Sequence, residues 1–343
     1  RVKQPHIIAP LLPIGTLRLA EPAIEENQAL SPDEALDQIE ADDRSRRYDA
    51  IVLRGLELCR LAAARPALAG RLWIYITDLP QRREDIGDAL LADLESIVAA
   101  AGVVLCQTPQ FEAYLHSILP GSVGRTRLLP PMIPATATAP ASRPGRAAGR
   151  LALGYAGKFA PLWGIRELFE VHRRLRAEGL AVELQAFGDK IHNPPDDPGF
   201  REEVRSALST GEGVTWHGAM EREALLARLG EVDVGWAWRL PALEAHTHEL
   251  STKLLEYAAC GVPPVMAPNA VNREVFGDDY PLYADGVGEA FALLRRLATE
   301  PGLLDLARTR VASVAAGFTF DAVRARLAAQ GLLGAAEGED VDG

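Results

Sequence analysis

The sequence predicts an α/β protein made of two doubly wound, Rossmann-like domains that face each other across a cleft. Short apolar runs alternate with amphipathic helical patterns along most of the 343 residues, which is typical of parallel strands joined by crossover helices. The alternation stops between residues 134 and 150, in a segment rich in Ala, Pro, Thr and Gly, and then restarts. Because one hydrophobic core seldom exceeds about 250 to 300 residues, two domains joined by a linker are expected.

This interruption sets the expected domain boundaries. We expect an N-terminal domain over residues 1–134, a linker over 135–150 and a second domain over 151–318. A separate C-terminal helix follows over 319–333, and the small, acidic residues 334–343 are expected to be disordered.

In the N-terminal domain, Ser31 is expected to cap a helix whose first residue is proline, a residue well suited to the first helical turn. The elements after this helix follow from the alternating pattern. The sequence predicts strands over Tyr48–Leu53, Leu72–Ile76 and Val103–Cys106, and helices over Pro32–Ala41, Leu56–Leu68, Asp85–Ala101 and Pro109–Leu119.

The pattern is clearer in the second domain. In doubly wound sheets, ligands bind beyond the carboxyl ends of the strands, so the cleft between the domains is the expected site. A helical region over 287–333 is expected to break at Pro301 and again near Gly317. Before it, we expect strands over Leu151–Tyr155, Val182–Phe187, Val214–Trp216, Val232–Trp236 and Pro264–Ala267, and helices over Gly164–Ala177, Phe200–Leu208, Glu221–Leu229 and Thr252–Ala259.

The composition excludes several classes of protein. The 36 basic and 47 acidic residues give a net charge of −11, and an acidic surface repels a phosphate backbone, so nucleic acid is not an expected partner. The longest apolar run, Ile97–Cys106, has ten residues, whereas a membrane-spanning helix needs about 18. Three cysteines without a C-x-x-C pair favour a reducing cytoplasm over a zinc knuckle or a disulfide framework. Neither a dinucleotide fingerprint nor a Walker-type phosphate loop is present.

The segment Glu249–Val265 contains the first candidate site. Ser251 or Thr252 is a suitable N-cap, which places Lys253 in the first helical turn. The helix dipole disfavours a cation there, so a negative group is expected nearby. Either Glu256, three residues further on, forms an ion pair with Lys253, or a bound phosphate is held jointly by the ammonium and the helix N-terminus.

A second candidate follows the first strand of the second domain. Gly157 permits close approach of the backbone, and Lys158 projects from the loop that leads into the next helix. Lys158 alone is equally well explained as a solvated loop lysine. Two lysines at two strand-to-helix junctions of one domain favour a convergent anion site, and a diphosphate would suit it.

Six segments carry a resemblance to a known family. The likeness extends from about Tyr48 to Leu327 and is strongest over 151–267. The segments are YAGKF (155–159), FGD (187–189), VTWHGAM (214–220), STKLLEYAACGVPPV (251–265), LADLESIVAAAGVVLCQTPQFEAYL (91–115) and LLPPMIP (128–134). Together they resemble the nucleotide-sugar glycosyltransferases of the GT-B fold, in particular glycosyltransferase family 4 (group 1).

The resemblance implies a role for each matching residue. Lys158 would contact the donor diphosphate and Gly188 would lie against the nucleotide, with the loop 217–220 next to the base. Glu256 would accept hydrogen bonds from the ribose hydroxyls, since a carboxylate can take two at once. The phosphates would be faced by Lys253 and by the backbone of Ser251 and Thr252. No cofactor and no metal are implied, because the donor nucleotide diphosphate sugar is a substrate.

The sequence also departs from the family pattern. His248 stands where the first of two acidic residues is usual, and Trp163 takes the place of a second basic residue in the phosphate loop. Thr77 and Asp78 stand where a histidine often approaches the transferred sugar. The first strand and its glycine-rich loop are not found and the chain opens with Arg, which is consistent with a missing N-terminal segment.

Two of these residues each have alternative explanations. Asp78 would either orient an acceptor hydroxyl or cap the turn that follows its strand. His248 would either contact the donor sugar or a phosphate, or form part of the H-x-H-E motif over 246–249. A zinc site needs at least three converging ligands, and no other histidine cluster exists, so no metal is expected.

We interpret the sequence as a glycosyltransferase of the hexosyltransferase type, retaining by resemblance, which moves a sugar from a nucleotide diphosphate sugar to a saccharide or lipid-linked acceptor. Lys158, Lys253, His248 and Asp78 are its candidate catalytic residues. Two alternatives stay open: a non-catalytic nucleotide-sugar-binding module of a larger polysaccharide-assembly protein, and a sugar-nucleotide epimerase of the same fold. A cytoplasmic location is expected. The basic helix face over 166–176 is expected to be solvated or to contact anionic lipid at the inner face of the membrane.

Overall fold

The computed structural model describes residues 2–3, 29–77, 79–134 and 150–332, so the predicted linker and acidic tail lie almost entirely outside the described residues. The chain divides into two compact units. The first contains Arg1–Pro130 and Arg324–Gly343, and the second contains Pro131–Val323.

The first unit is built on a four-stranded parallel sheet with strand order β3-β4-β5-β6, beside a short antiparallel pair, β1-β2. Its strands are β1 Val2–Lys3, β2 Ala29–Leu30, β3 Ile51–Arg54, β4 Leu72–Tyr75, β5 Ala101–Cys106 and β6 Thr126–Leu128. The helices between these strands are α1 Pro32–Arg46, α2 Leu56–Ala63, α3 Asp88–Ala100 and α4 Pro109–Ile118.

Helix ends in this unit follow local chemistry. Ser31 caps α1 as predicted, and it forms a complete capping box with Glu34. Helix α2 ends at Ala63, whereas the sequence analysis extended it to Leu68; Pro66 disfavours helical backbone in the residue before it. The apolar pattern alone does not show where this helix ends, because Leu68 is buried although it lies in a turn after the helix.

The second unit contains a five-stranded parallel sheet with strand order β11-β10-β7-β8-β9. Its strands are β7 Arg150–Ala156, β8 Ala181–Phe187, β9 Val214–Trp216, β10 Val234–Trp236 and β11 Pro264–Val265. The helices that follow these strands are α5 Ile165–Ala177, α6 Phe200–Thr210, α7 Arg222–Leu229, α8 Pro241–Glu244, α9 Thr252–Ala259, α10 Ala270–Phe276, α11 Val287–Thr299, α12 Pro301–Gly317 and α13 Phe320–Ala329.

The strand order confirms the predicted fold class. From β7 the chain first adds β8 and β9 on one side and then returns to add β10 and β11 on the other, so the second sheet is doubly wound. In the first unit, the described strands follow one another in sequence and show no such reversal. The point of reversal, between β7 and β10, is where ligands bind in open parallel sheets.

The C-terminal helices break where the sequence predicts. Helix α11 ends just before Pro301 and α12 ends at Gly317, so both predicted interruptions are confirmed. The chain then returns to the first unit, whose last segment begins at Arg324. Gln330 exchanges two hydrogen bonds with the backbone of Leu128, at 3.1 and 3.2 Å. Among the described helices, none has the length and apolar character needed to cross a bilayer.

Several arginines of the basic face of α5 contact acidic or aromatic neighbours. Arg166 lies 2.6 Å from both Asp197 and Glu203, and Arg174 stacks over the ring of Phe291 at 4.1 Å. These contacts leave less free positive charge than the sequence alone indicates. Contact with anionic lipid stays a prediction.

Candidate functional site

A cleft of about 60 Å³ lies at the carboxyl ends of β7 and β10, where the second sheet reverses its order. Three segments meet there: the turn before α5, the chain just after β10, and the first turn of α9. They contribute the lining residues Trp163, Ala237, Arg239, Ser251 and Lys253. The cleft therefore combines two cations with the start of a helix.

Tyr257 holds α9 against the end of the sheet. Its buried hydroxyl donates to the carbonyl of Gly154 at 3.1 Å and accepts from the N–H of Ala156 at 2.9 Å. Its ring fills the space above Gly235, where a Cβ would lie only 2.9 Å from the ring. Because residues four apart share a helix face, Lys253 is directed to the same side as Tyr257, toward the end of β7.

Lys253 occupies this cleft in contact with two aromatic rings. Its Nζ lies 4.0 Å from the ring centre of Tyr155 and 5.1 Å from that of Trp163. A Cβ placed on Gly157 would lie 3.4 Å from the same nitrogen. The structure thus brings together Gly157 and Lys253, which the sequence analysis assigned to one anion site.

The predicted ion pair between Lys253 and Glu256 is not formed. Glu256 pairs instead with Arg222, at 3.1 Å, on the adjacent helix α7. Among the described residues, no carboxylate lies within 4.0 Å of Lys253. The sequence analysis missed this because residue spacing along one helix does not reveal a competing arginine from another.

Burial, reinforced by the positive charge of Arg239 and only partly opposed by Glu256, lowers the pKa of Lys253 from 10.5 to about 7. The ammonium is therefore costly to maintain in the cleft. A bound anion would restore the charged form, as expected of a site that is complete only when a negative ligand is present.

Arg239 is the residue that the sequence analysis missed. It follows β10 in a loop without a recognisable motif, and its Nε donates to the carboxylate of Glu244 in α8. The other carboxylate oxygen of Glu244 accepts from the side chain of Asn269. The only sequence signal was the R-x-x-x-x-E spacing over 239–244, which is too common to indicate a site.

Two glycines, Gly157 and Gly188, follow β7 and β8, and we call their closely packed backbone the glycine floor. Gly157 and Gly188 have φ values of +130° and +123°, which L side chains rarely adopt. A Cβ on Gly188 would lie 2.3 Å from the carbonyl oxygen of Gly157. Gly188 also donates to Gly218 at 2.7 Å, and its carbonyl accepts from Trp216 at 2.7 Å. Only glycine at Gly188 allows the two loops to approach this closely.

The remaining predicted residues are spread more widely. Lys158 is exposed beside Gly157, and its carbonyl accepts the hydroxyl of Tyr155. Ser251 is the N-cap of α9 but makes no side-chain capping bond, and Thr252 is exposed. His248 is half-buried in the loop before α9. Asp78 lies outside the described residues.

Beside the glycines, His217 lies in the segment expected to approach a nucleotide base. Its ring stacks on Phe187 with 4.6 Å between centres and 8° between planes, and its Nε2 lies 2.8 Å from the amide oxygen of Gln185. Burial and the nearby Arg228 lower its pKa below the ordinary value. The ring of His217 is therefore held in place by Phe187 and Gln185 and is less easily protonated than an ordinary imidazole.

Other polar and aromatic groups have structural explanations. Trp236 and Trp238 are buried and donate to the carbonyls of Gly164 and Ala284, at 3.1 and 2.9 Å, so both are packing residues. Within the described ranges, no group of three or more His, Cys, Asp or Glu side chains is placed to hold a metal ion.

No protein-family model matches the chain, and no curated protein sequence matches it either. Solved structures do. Sucrose-phosphate synthase from Thermosynechococcus elongatus has a TM-score of 0.64 at 16% identity, covering 87% of this chain and 76% of that one. HepE of Anabaena in complex with UDP-glucose has a TM-score of 0.63 at 14% identity, with coverages of 85% and 80%. A glycosyltransferase from Rickettsia africae has a TM-score of 0.64 at 10% identity, with coverages of 89% and 83%.

At these identities the likeness concerns the fold, and it confirms the GT-B fold predicted from the sequence. The geometry adds the chemistry of the second unit. Two cations, an uncapped helix start and a glycine floor meet at the switch point of its sheet, an arrangement suited to phosphate oxygens.

Proposed function

We propose that this chain is a glycosyltransferase and that a nucleotide diphosphate sugar binds with its diphosphate in the cleft around Lys253. The observation that carries the proposal is an ammonium held at the switch point of a doubly wound sheet, beside Gly157, with no carboxylate among the described residues within ion-pair distance. The likeness to HepE of Anabaena, whose structure contains UDP-glucose, supports a donor of this class.

In this proposal the protein acts chiefly through electrostatics. Transfer breaks the bond between the anomeric carbon of the sugar and the terminal diphosphate oxygen, whose electron pair stays on the diphosphate. A new bond forms to the oxygen of an acceptor hydroxyl, whose proton passes to an oxygen of the leaving diphosphate. Lys253 and the first N–H groups of α9 stabilise the charge that develops on the leaving diphosphate, and Lys158 adds a third contact from the adjacent loop.

The nucleoside end of the donor is assigned to neighbouring residues. Glu256 accepts from the ribose hydroxyls, and its ion pair with Arg222 orients the carboxylate. Gly188 allows the nucleotide to approach the backbone closely, and His217 faces the base. We further propose a retaining outcome and a saccharide or lipid-linked acceptor, with His248 near the transferred sugar and Asp78 near the acceptor hydroxyl.

The direct test is to screen nucleotide diphosphate sugars by thermal shift and then measure release of the nucleoside diphosphate from those that stabilise the chain. Release that depends on an acceptor, with a glycosylated product, supports a transferase. Binding without turnover in any acceptor mixture favours a binding module, and conversion of the free donor sugar without acceptor favours an epimerase. No stabilisation by any nucleotide diphosphate or its sugar contradicts all three.

A further inference from the structure

We propose that Arg239 is a further cationic ligand of the donor diphosphate and that Glu244 is its positioning residue. This inference rests on the proposed function, because it assigns a further residue to the same donor site. It concerns a residue in the loop after β10 that no sequence motif singles out.

The geometry leaves part of Arg239 available to a ligand. Its Nε is bound to Glu244, and the side chain is 20% exposed where it lines the cleft with Lys253. Within the described part of the chain, neither of its Nη groups donates a hydrogen bond. A guanidinium can donate five hydrogen bonds in a fixed planar fork, which matches the oxygens of a phosphate. An arginine with a solely structural role is expected to use these groups within the protein.

Glu244 fixes the position of this fork. The carboxylate is only 7% exposed and accepts from Arg239 on one oxygen and from Asn269 on the other. Asn269 is the N-cap of α10, where its Oδ1 accepts from the N–H of Asn272 at 2.7 Å. Arg239 is thus held by Glu244, and Glu244 is held by Asn269. The guanidinium is oriented before any ligand binds, which lowers the entropic cost of binding.

The balance of charge also points to an anion. Arg239 and Lys253 line one small cleft, and Glu244 bonds only the guanidinium. The guanidinium destabilises the neighbouring ammonium enough to contribute to its lowered pKa. Two cations that share one carboxylate in a small cleft leave positive charge unbalanced, and the two phosphate groups of a donor supply the missing negative charge.

The test uses the nucleoside diphosphate that stabilises the wild type most, together with the corresponding nucleoside. Titration calorimetry is done on the full chain and on Arg239→Ala, Arg239→Lys and Glu244→Gln. Arg310→Ala is the matched control, since Arg310 pairs with Asp279 in the same unit and does not line the cleft.

We expect Arg239→Ala to weaken diphosphate binding at least about tenfold, as for loss of a charge-assisted hydrogen bond, with nucleoside binding unchanged. Arg239→Lys should recover part of the lost diphosphate affinity because the charge remains. The affinity of Glu244→Gln should lie between those of Arg239→Ala and Arg239→Lys. The control binds as the wild type does.

Two results overturn the proposal and are distinguishable. If the wild type binds the diphosphate and Arg239→Ala binds it within about twofold, Arg239 is not a ligand and the donor site itself stands. If the wild type binds no nucleoside diphosphate, the donor site fails as well. If Arg239→Ala does not fold, the comparison of Arg239→Lys with wild type decides. Equal diphosphate affinity contradicts binding through the planar guanidinium, whereas a loss of diphosphate affinity with unchanged nucleoside affinity supports it.

Discussion

Lys253 lowers the stability of the protein in the state without a ligand. Its pKa of about 7 lies below the ordinary 10.5, so the unfolded chain binds the proton more tightly than the folded chain does. The destabilisation is therefore complete below about pH 7 and declines as the pH rises toward the ordinary pKa. Residues that lower stability in this way are typical of binding sites.

We predict that Lys253→Met raises the melting temperature by at least about 2 °C at pH 6 to 7, given that 1 kcal/mol corresponds to about 2–4 °C for a domain of this size. The gain should shrink as the pH approaches about 10, because the wild-type lysine is then neutral in both states. Melting curves followed by circular dichroism across this range provide the check. A variant that melts lower than wild type at pH 6 to 7 would contradict the assigned environment of Lys253.

The same group predicts a pH dependence of binding. A diphosphate near Lys253 raises its pKa, so above about pH 7 binding must be accompanied by the uptake of a proton from the solvent. Affinity for a nucleotide diphosphate sugar, whose phosphates do not titrate here, should fall as the pH rises from about 7 to 9, by up to tenfold per pH unit. Calorimetry in buffers of different ionisation enthalpy should detect proton uptake near pH 8. If no proton is taken up, Lys253 does not contact the bound diphosphate.

The sequence and the structure agree unevenly on individual residues. Lys158 and Lys253 were predicted to share a site because they stand at two strand-to-helix junctions of one domain, and the structure places Lys253 against Gly157, the residue before Lys158. Arg239 was not predicted, because its position depends on how the loop after β10 folds around Glu244. The partner of Glu256 was also missed, because α7 and α9 are brought together only by tertiary packing.

Elements with a continuous apolar pattern were the easiest to predict. Strand β9 and helix α9 have exactly the predicted bounds, and most other helices differ only at their ends. The short helix α10 was missed, since seven residues are too few to establish a helical period, and the strand β6 was missed because its sequence Thr-Arg-Leu contains no apolar run. Strand β10 begins at Val234, two residues later than predicted, because Val232 bonds back to Leu229 instead of joining the ladder.

The close contact between the loops after β7 and β8 predicts a large effect of a single methyl group. Gly188→Ala adds a Cβ 2.3 Å from the carbonyl of Gly157, at a φ of +123°. We expect a loss of at least about 1–3 kcal/mol in the free energy of unfolding, together with loss of nucleotide binding. Urea denaturation and ligand titration provide the two measurements.

Gly199→Ala is the control for this substitution. Gly199 has a φ of −80°, and no heavy atom lies within 4 Å of the added Cβ. Its stability should remain within about 0.5 kcal/mol of wild type. Equal stabilities for the two variants would mean that the glycine floor is not as closely packed as described.

For the molecule taken whole, fold and function rest on different evidence. The GT-B fold follows from two parallel sheets and from similarity to solved structures across more than four fifths of the chain. The donor site follows from the second unit alone. That unit, residues 131–323, has 20 basic and 25 acidic side chains and so a net charge of −5. Cations gathered in one cleft of an acidic unit are consistent with selection for a small anion instead of a polyanion.

The most direct test of the donor site is titration of the stabilising nucleoside diphosphate into wild type, Lys253→Met and, as control, Arg310→Met. We predict one bound ligand per chain for the wild type and the control. Lys253→Met should bind at least about tenfold more weakly while remaining folded. Undiminished affinity in folded Lys253→Met would show that the diphosphate, if it binds, does so elsewhere, and the central assignment would be wrong.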